Sequence, residues 1–189
     1  MKVARTGARF GIPSPEVVHG RPGRLDRASR LALAAAQQVF KEPLIERPRL
    51  GVWIVSQYGA FSANAEHWRL FLARGIAGVS PLVFPATVPS AAAAEIAIAT
   101  GAMGPNVTLC GGPSVASQVL SLARSAILSG VVDEAIVGAV DGFHPKMLEL
   151  GLQESAIDGA VVVRMGRDDV FGNSVVGTLT IDAFNALVS

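Results

Sequence analysis

The sequence predicts an α/β domain whose sheet is parallel or mixed and carries helices on both faces. Two observations lead there. Short apolar runs of strand length alternate with longer stretches whose apolar residues recur every three or four positions, the pattern of strand–helix–strand units. The run from Leu50 to Ser56, LGVWIVS, is apolar without alternation, as a strand covered on both faces must be. At 189 residues, half of them apolar, the chain can bury one core of ordinary size, so residues 1–189 are expected to form a single domain.

Taken in order, the opening MKVARTGARF alternates weakly and reads as a short strand, which the proline and glycine of GIPSPEVVHGRPG then break. Asp26 is a good N-cap with Ala28, Leu31, Ala35 and Val39 at helical spacing behind it, so a helix is expected to about Phe40. Pro43 and Pro48 end it. The strand from Leu50 to Ser56 belongs in the centre of the sheet. Ser62 can cap a second helix whose Phe61, Ala65, Trp68 and Leu72 share one stripe, and Gly75 and Gly78 mark its end. That helix, with His67 and Trp68, is expected to meet a core or an interface. After the loop VSPLVFPATVPS come a helix from Ala91 to about Thr100, a strand from Asn106 to Cys110 and a helix from Pro113 to Ser129. Proline suits a first helical position, where its missing N–H had no intrahelical partner. Val115, Val119, Leu122 and Ala126 form one apolar stripe on that helix, and Ala116, Leu120, Ala123 and Ile127 another, so it is expected to be buried on two sides. Glu134 to Val140 is the next strand, and GAVVVRM and SVVGTLTI are two further strand-like runs.

A net charge of +1 balances 16 Lys and Arg against 15 Asp and Glu, too even for a nucleic-acid footprint. The arginines gathered between Arg5 and Arg49 read as a solvated surface. One cysteine, Cys110, cannot make an internal disulfide, and the first ten residues hold no continuous apolar region of a secretory signal. Glu95 and Arg124 interrupt the most apolar stretches, short of the roughly 20 apolar residues of a membrane helix. A cytoplasmic protein with no membrane span, no metal and no cofactor is the expectation.

The phrases SPLVFPATVPSAAAAEIAIATGAMGPNVTL, LARSAILSGVVDEAIVGAVDG and DGAVVVRM, in that order and spacing, resemble the amino-terminal half of β-ketoacyl synthases, including the chain length factors that pair with them. RLDRASRLALAAAQQVF and RLGVWIVS extend the likeness over nearly the whole chain. The resemblance implies half of a thiolase-like fold with a mixed, mostly parallel five-stranded sheet, in which two similar halves pack their nucleophile helices between two sheets. It also implies a Thr-Ala-Cys after the Gly-Pro turn and its strand, the cysteine standing at the helix start as nucleophile. Counted without gaps from Gly104 and Pro105, that cysteine falls on Pro113 and the pair before it on Gly111 and Gly112. Proline offers no nucleophile and removes the N–H that could have stabilised an oxyanion there. The family's two catalytic histidines and its lysine belong to a carboxy-terminal half that the resemblance expects this chain, ending at Ser189, to lack; His19, His67 and His144 match none of them. The function so implied is a non-catalytic, chain-length-factor-like subunit of type II fatty-acid or polyketide biosynthesis. Its implied partners are a ketosynthase or a second copy of itself, with acyl carrier protein beside them.

A second reading is an acyltransferase or thioesterase acting on acyl thioesters through Cys110 or Ser114. Cys110 lies three positions before the nucleophile's place, on a strand, and a lone cysteine is usually a small buried apolar residue. Ser114 feels the same helix dipole, but no histidine or aspartate is placed by sequence to deprotonate it. Gly111, Gly112, Pro113 and Ser114 could cradle a ligand at a helix N-terminus, although they lack the lysine of a phosphate-binding loop. His144, in GFHP, stands on a loop after a strand, where it serves either a ligand or the turn itself. Asp158, in IDGA, replaces the glutamate of the family's Gly-Glu-Gly-Ala and reads as a hydrogen-bonding residue of a turn.

Overall fold

The computed structural model describes residues 2–8, 25–153 and 158–168. Its elements are β1 (Lys2–Ala8), α1 (Arg27–Val39), β2 (Leu50–Ser56), α2 (Phe61–Arg74), α3 (Ala91–Thr100), β3 (Asn106–Cys110), α4 (Pro113–Leu128), β4 (Glu134–Asp141), α5 (Pro145–Glu149) and β5 (Asp158–Gly166). Single 3-10 turns at Gly75–Gly78 and Phe84–Thr87 lie between α2 and α3. The runs GIPSPEVVHGRPG and SVVGTLTI lie outside the described residues.

β2 is the central parallel strand, flanked by β3 and β4, and its seven residues are all buried. β5 joins β4 antiparallel, with Val137 opposite Val163, and β1 lies antiparallel along the outer edge of β5. The strands β2 to β5 thus make a mixed sheet in which two of the three pairings are parallel, as expected. β5 turns back antiparallel after a connection that, among the described residues, forms only the one-turn α5 and not the longer helix a parallel crossover usually carries.

One face of the sheet is covered by α1 and α3, which meet Val52, Ile54, Ile136, Val140, Ala160 and Val162. On the other face α4 lays Ala116, Val119, Ala123 and Ile127 over Trp53, Val55, Val137, Ala139 and Val163. Each branched side chain buried in this way stabilises the fold by about 1.5–3 kcal/mol. α1 starts as expected: Asp26 Oδ1 accepts the Ser29 N–H at 3.0 Å. The helix has little solvent face, because Leu33 and Ala34 are buried against Leu25 and Ala99. Beyond it Phe40 lies between two guanidinium groups, Arg47 at 4.6 Å and Arg164 at 4.3 Å from the ring centre, and Arg164 in turn holds Glu134 and Glu42.

Two helices are less covered than a core position would make them, which leaves an interface as the remaining expectation for α2. On α2 only Ala63 is buried, while Trp68 and Leu72 are 57% and 79% exposed. Ser62 is not its cap; the Ser62 hydroxyl donates to Gly142 O at 2.6 Å and ties the helix start to the end of β4. On α4 the two expected apolar stripes reduce to one buried face. Leu122 is 46% exposed, and Ser114, Ser117, Ser121 and Ser125 form the outward row. Ser121 and Ser117 donate back to the carbonyls of Ser117 and Ser114, which satisfies their hydroxyls within the helix.

Candidate functional site

The carboxyl ends of β2, β3 and β4 converge on one short stretch of chain, the place where α/β sheets present ligands and chemistry. From β3 the chain leaves through Cys110 and Gly111, whose φ of 153° admits glycine. A Cβ at Gly111 would also come within 2.5 Å of Val115 Cγ2. Gly112 is the extended N-cap of α4, without a side-chain cap, and Pro113 is the first helical residue. The helix start therefore lies where the resemblance places the family's nucleophile helix, and proline fills its first position. Ser114 is exposed in the first turn.

Cys110 departs from the expectation of a buried cysteine: it is exposed, as the last residue of a strand that lies at the edge of the described sheet. Its thiol is nonetheless pushed above the ordinary value, first by partial burial and then by the negative charge of Asp141. An activated thiolate requires the opposite shift. No other nucleophilic side chain of the expected set gains a base, since Ser114 is given none among the described residues.

Asp141, which the sequence reading passed over, organises this end of the sheet. It is 2% exposed. Its Oδ1 accepts from Ser56 Oγ at 2.7 Å and from the Tyr58 N–H at 3.0 Å, and its Oδ2 accepts from the Gln57 N–H at 3.0 Å. Burial raises the Asp141 carboxyl above the usual range, outweighing the three hydrogen bonds that pull it down. Ser56 Oγ accepts in turn from the Gly59 N–H at 2.8 Å, and Ser56 O from the Gly111 N–H at 3.0 Å. The signal available in sequence was a carboxylate closing an apolar strand just before Gly142, which reads equally well as turn punctuation.

His144 stands apart from this cluster. Its Nδ1 accepts the Lys146 N–H at 3.1 Å as the cap of α5, and its ring lies edge-on to Phe61 at 6.3 Å. It lines a cleft of about 390 Å³ with Arg27, Ser62, Glu66, Leu82 and Phe143. Gly111, Gly112, Pro113 and Ser114 take no part in that cleft, and β2 stands between β3 and β4, so the expected substrate-binding set is not brought together. Asp158 is the first residue of β5 rather than a turn residue, and its buried carboxylate pairs with Arg27 in the first turn of α1. Among the described residues no three His, Cys, Asp or Glu side chains are grouped to hold a metal ion. No helix among them is long and apolar enough to cross a membrane.

Known proteins resemble this chain in sequence and in fold. A protein of Streptomyces virginiae named as a polyketide beta-ketoacyl synthase is 30% identical over 128 residues, which cover 62% of this chain and 30% of that protein. Among solved structures, the ishigamide ketosynthase/chain length factor superposes with a TM-score of 0.72 at 20% identity, over 84% of this chain and 48% of the other. A ketosynthase in complex with its chain length factor from Xenorhabdus doucetiae gives 0.68 at 13% identity, over 88% and 77%. A type II polyketide acyl carrier protein in complex with its ketosynthase, bound to the hexaketide, gives 0.65 at 17%, over 84% and 52%. The chain thus spans under a third of the curated relative and about half of two of these structures. With residues 13–157 matching the sequence model of the Beta-ketoacyl synthase, N-terminal domain, and the fold and helix start in the places described, the chain belongs to the β-ketoacyl synthase family.

Proposed function

We propose that the chain is a non-catalytic, chain-length-factor-like subunit that pairs with a ketosynthase, or with a second copy of itself, in type II polyketide or fatty-acid biosynthesis. The start of α4 carries the reading. Where the family's cysteine attacks a thioester, this helix begins with Pro113, which has neither a nucleophile nor an N–H for an oxyanion. The nearby Cys110 does not compensate, since burial and then the Asp141 charge shift its thiol upward, away from an activated thiolate. In this reading residues 1–189 are one cytoplasmic domain, half of a thiolase-like fold, whose sheet reaches five strands with β1 at its edge. Gly111, Gly112, Pro113 and Ser114 then line the partner-facing end of the acyl tunnel, and His144 a separate contact.

Two surfaces support pairing. Among the described residues β3 is an edge strand, and its open side is a template for another strand. The outward row of α4, serines with Leu122 and Leu128 at 46% and 45% exposure, is small enough for close approach by a second helix layer. The names of the structural relatives, which join ketosynthases to chain length factors and an acyl carrier protein, favour a heteromeric partner.

Size-exclusion chromatography with light scattering, on the chain alone and mixed with candidate ketosynthases and acyl carrier protein, tests the proposal. A ketosynthase complex or a stable homodimer is expected. A chain that stays monomeric with every ketosynthase tried, and that forms a covalent adduct with an acyl thioester on Cys110 or Ser114, would instead establish the acyltransferase reading.

A further inference from the structure

We propose that Asp141 is a positioning residue whose carboxylate sets the turn from Gln57 to Gly59 across the ends of β2 and β3, and with it the surroundings of Cys110. This is independent of whether the chain is an accessory subunit or an acyltransferase.

The case begins with the donors. Ser56 Oγ, Gln57 N–H and Tyr58 N–H all aim hydrogens at the two carboxylate oxygens. A carboxylate is acceptor-only, so both oxygens suit them; an asparagine amide would turn its own N–H groups toward one of these donors. The three donors are neutral, so no ion pair compensates for taking this charge out of water, and the hydrogen bonds must do so. The site therefore calls for an acceptor at both positions.

What the carboxylate holds reaches the end of β3. Gly59, at φ 57°, sits against the thiol: a Cβ there would lie 3.3 Å from Cys110 Sγ and 3.4 Å from Pro89. Tyr58 is pinned at its far end, its hydroxyl donating to Leu152 O at 2.5 Å. Ser56 carries the linkage onward, its Oγ accepting from Gly59 and its O from Gly111. The titratable neighbours respond in kind: Tyr58 and Cys110 are both raised, by burial first and by the Asp141 charge second. The same group that shapes the turn thus adds to the upward shift of the adjacent thiol.

Amide hydrogen exchange and iodoacetamide alkylation of Cys110, on the full chain and its Asp141→Asn and Asp141→Glu variants, test the proposal. In the wild type the Gln57 and Tyr58 amides are expected to be protected to the level of the β4 amides. In Asp141→Asn they exchange about tenfold faster, as loss of about one hydrogen bond implies, while β5 and α1 keep their rates. With the neighbouring charge gone, Cys110 alkylates about threefold faster at fixed pH. Asp141→Glu restores the slow alkylation in part. An even acceleration across β4, β5 and α1, or an unchanged alkylation profile, would show a merely structural residue and overturn the proposal. If Asp141→Asn does not fold, the wild-type exchange decides, because unprotected Gln57 and Tyr58 amides are incompatible with it.

Discussion

Pro113→Cys would place a thiol at the first position of α4, and its reactivity relative to Cys110 can be worked out beforehand. Proline's missing N–H had no intrahelical partner at that position, so the substitution costs the helix little. A thiol there faces the positive end of a helix running from Pro113 to Leu128, and helix N-termini bring thiols to about 7.5 or lower against an ordinary value of about 8.5. At pH 7 that one unit raises the thiolate share from about 3% to about 24%, roughly eightfold. The weaker nucleophilicity of the more acidic thiol takes back about threefold, which leaves an advantage of about threefold. Cys110, already raised by burial and by Asp141, widens that margin. Alkylation with limiting iodoacetamide at pH 7, followed by peptide mass spectrometry, reads the ratio directly. A new thiol that reacts no faster than Cys110 would refute the identification of this turn with the family's nucleophile turn.

Two further outcomes follow from packing and charge. Ile127→Ala removes a fully buried side chain from the α4 layer and should destabilise the chain by about 2–5 kcal/mol in urea unfolding, with the secondary structure otherwise retained. Glu95 on α3 has its carboxyl raised by burial and by the nearby Asp26 charge. A carboxyl raised in the folded state contributes stability that is full below its unfolded value of about 4.3 and is lost as pH rises through the folded one. Glu95→Gln should therefore lose less stability than the wild type between pH 4 and pH 7, and parallel curves would contradict the assignment.

Elements bounded by strong punctuation were legible. Pro48 precedes β2, Gly104 and Pro105 precede β3, and Gly111 with Gly112 opens α4, so where these elements begin could be read from residue types alone. The N-cap at Asp26 was equally plain. Orientation and coverage were not. Nothing in GAVVVRM states that β5 runs antiparallel, because that depends on how little helix follows β4. The periodicity of Trp68 and Leu72 reports an amphipathic helix but not whether a neighbour covers it, and none among the described residues does. Cys110 looked buried because its strand is apolar, yet the sheet ends there. The site failed to assemble from sequence for a similar reason: His144 and the Gly111–Ser114 turn follow different strands, and the order of those strands is a tertiary fact. Asp141 escaped because its three donors are mostly backbone groups, which no side-chain pattern announces.

The antiparallel pairing of β1 with β5, which sets Lys2 opposite Arg164, has a consequence for the order in which the chain is made. The stretch from β2 to β4 is contiguous and can assemble its parallel pairs as it emerges from the ribosome. The elements made before it cannot finish with it, since β1 has its partner in β5 and α1 rests in part on Ala160 and Val162. During synthesis Leu31 and Ala35 wait, incompletely covered, for a strand that comes more than a hundred residues later. Such an interval of exposed apolar surface is where nascent chains meet chaperones or one another, and in this protein it closes only when β5 is delivered.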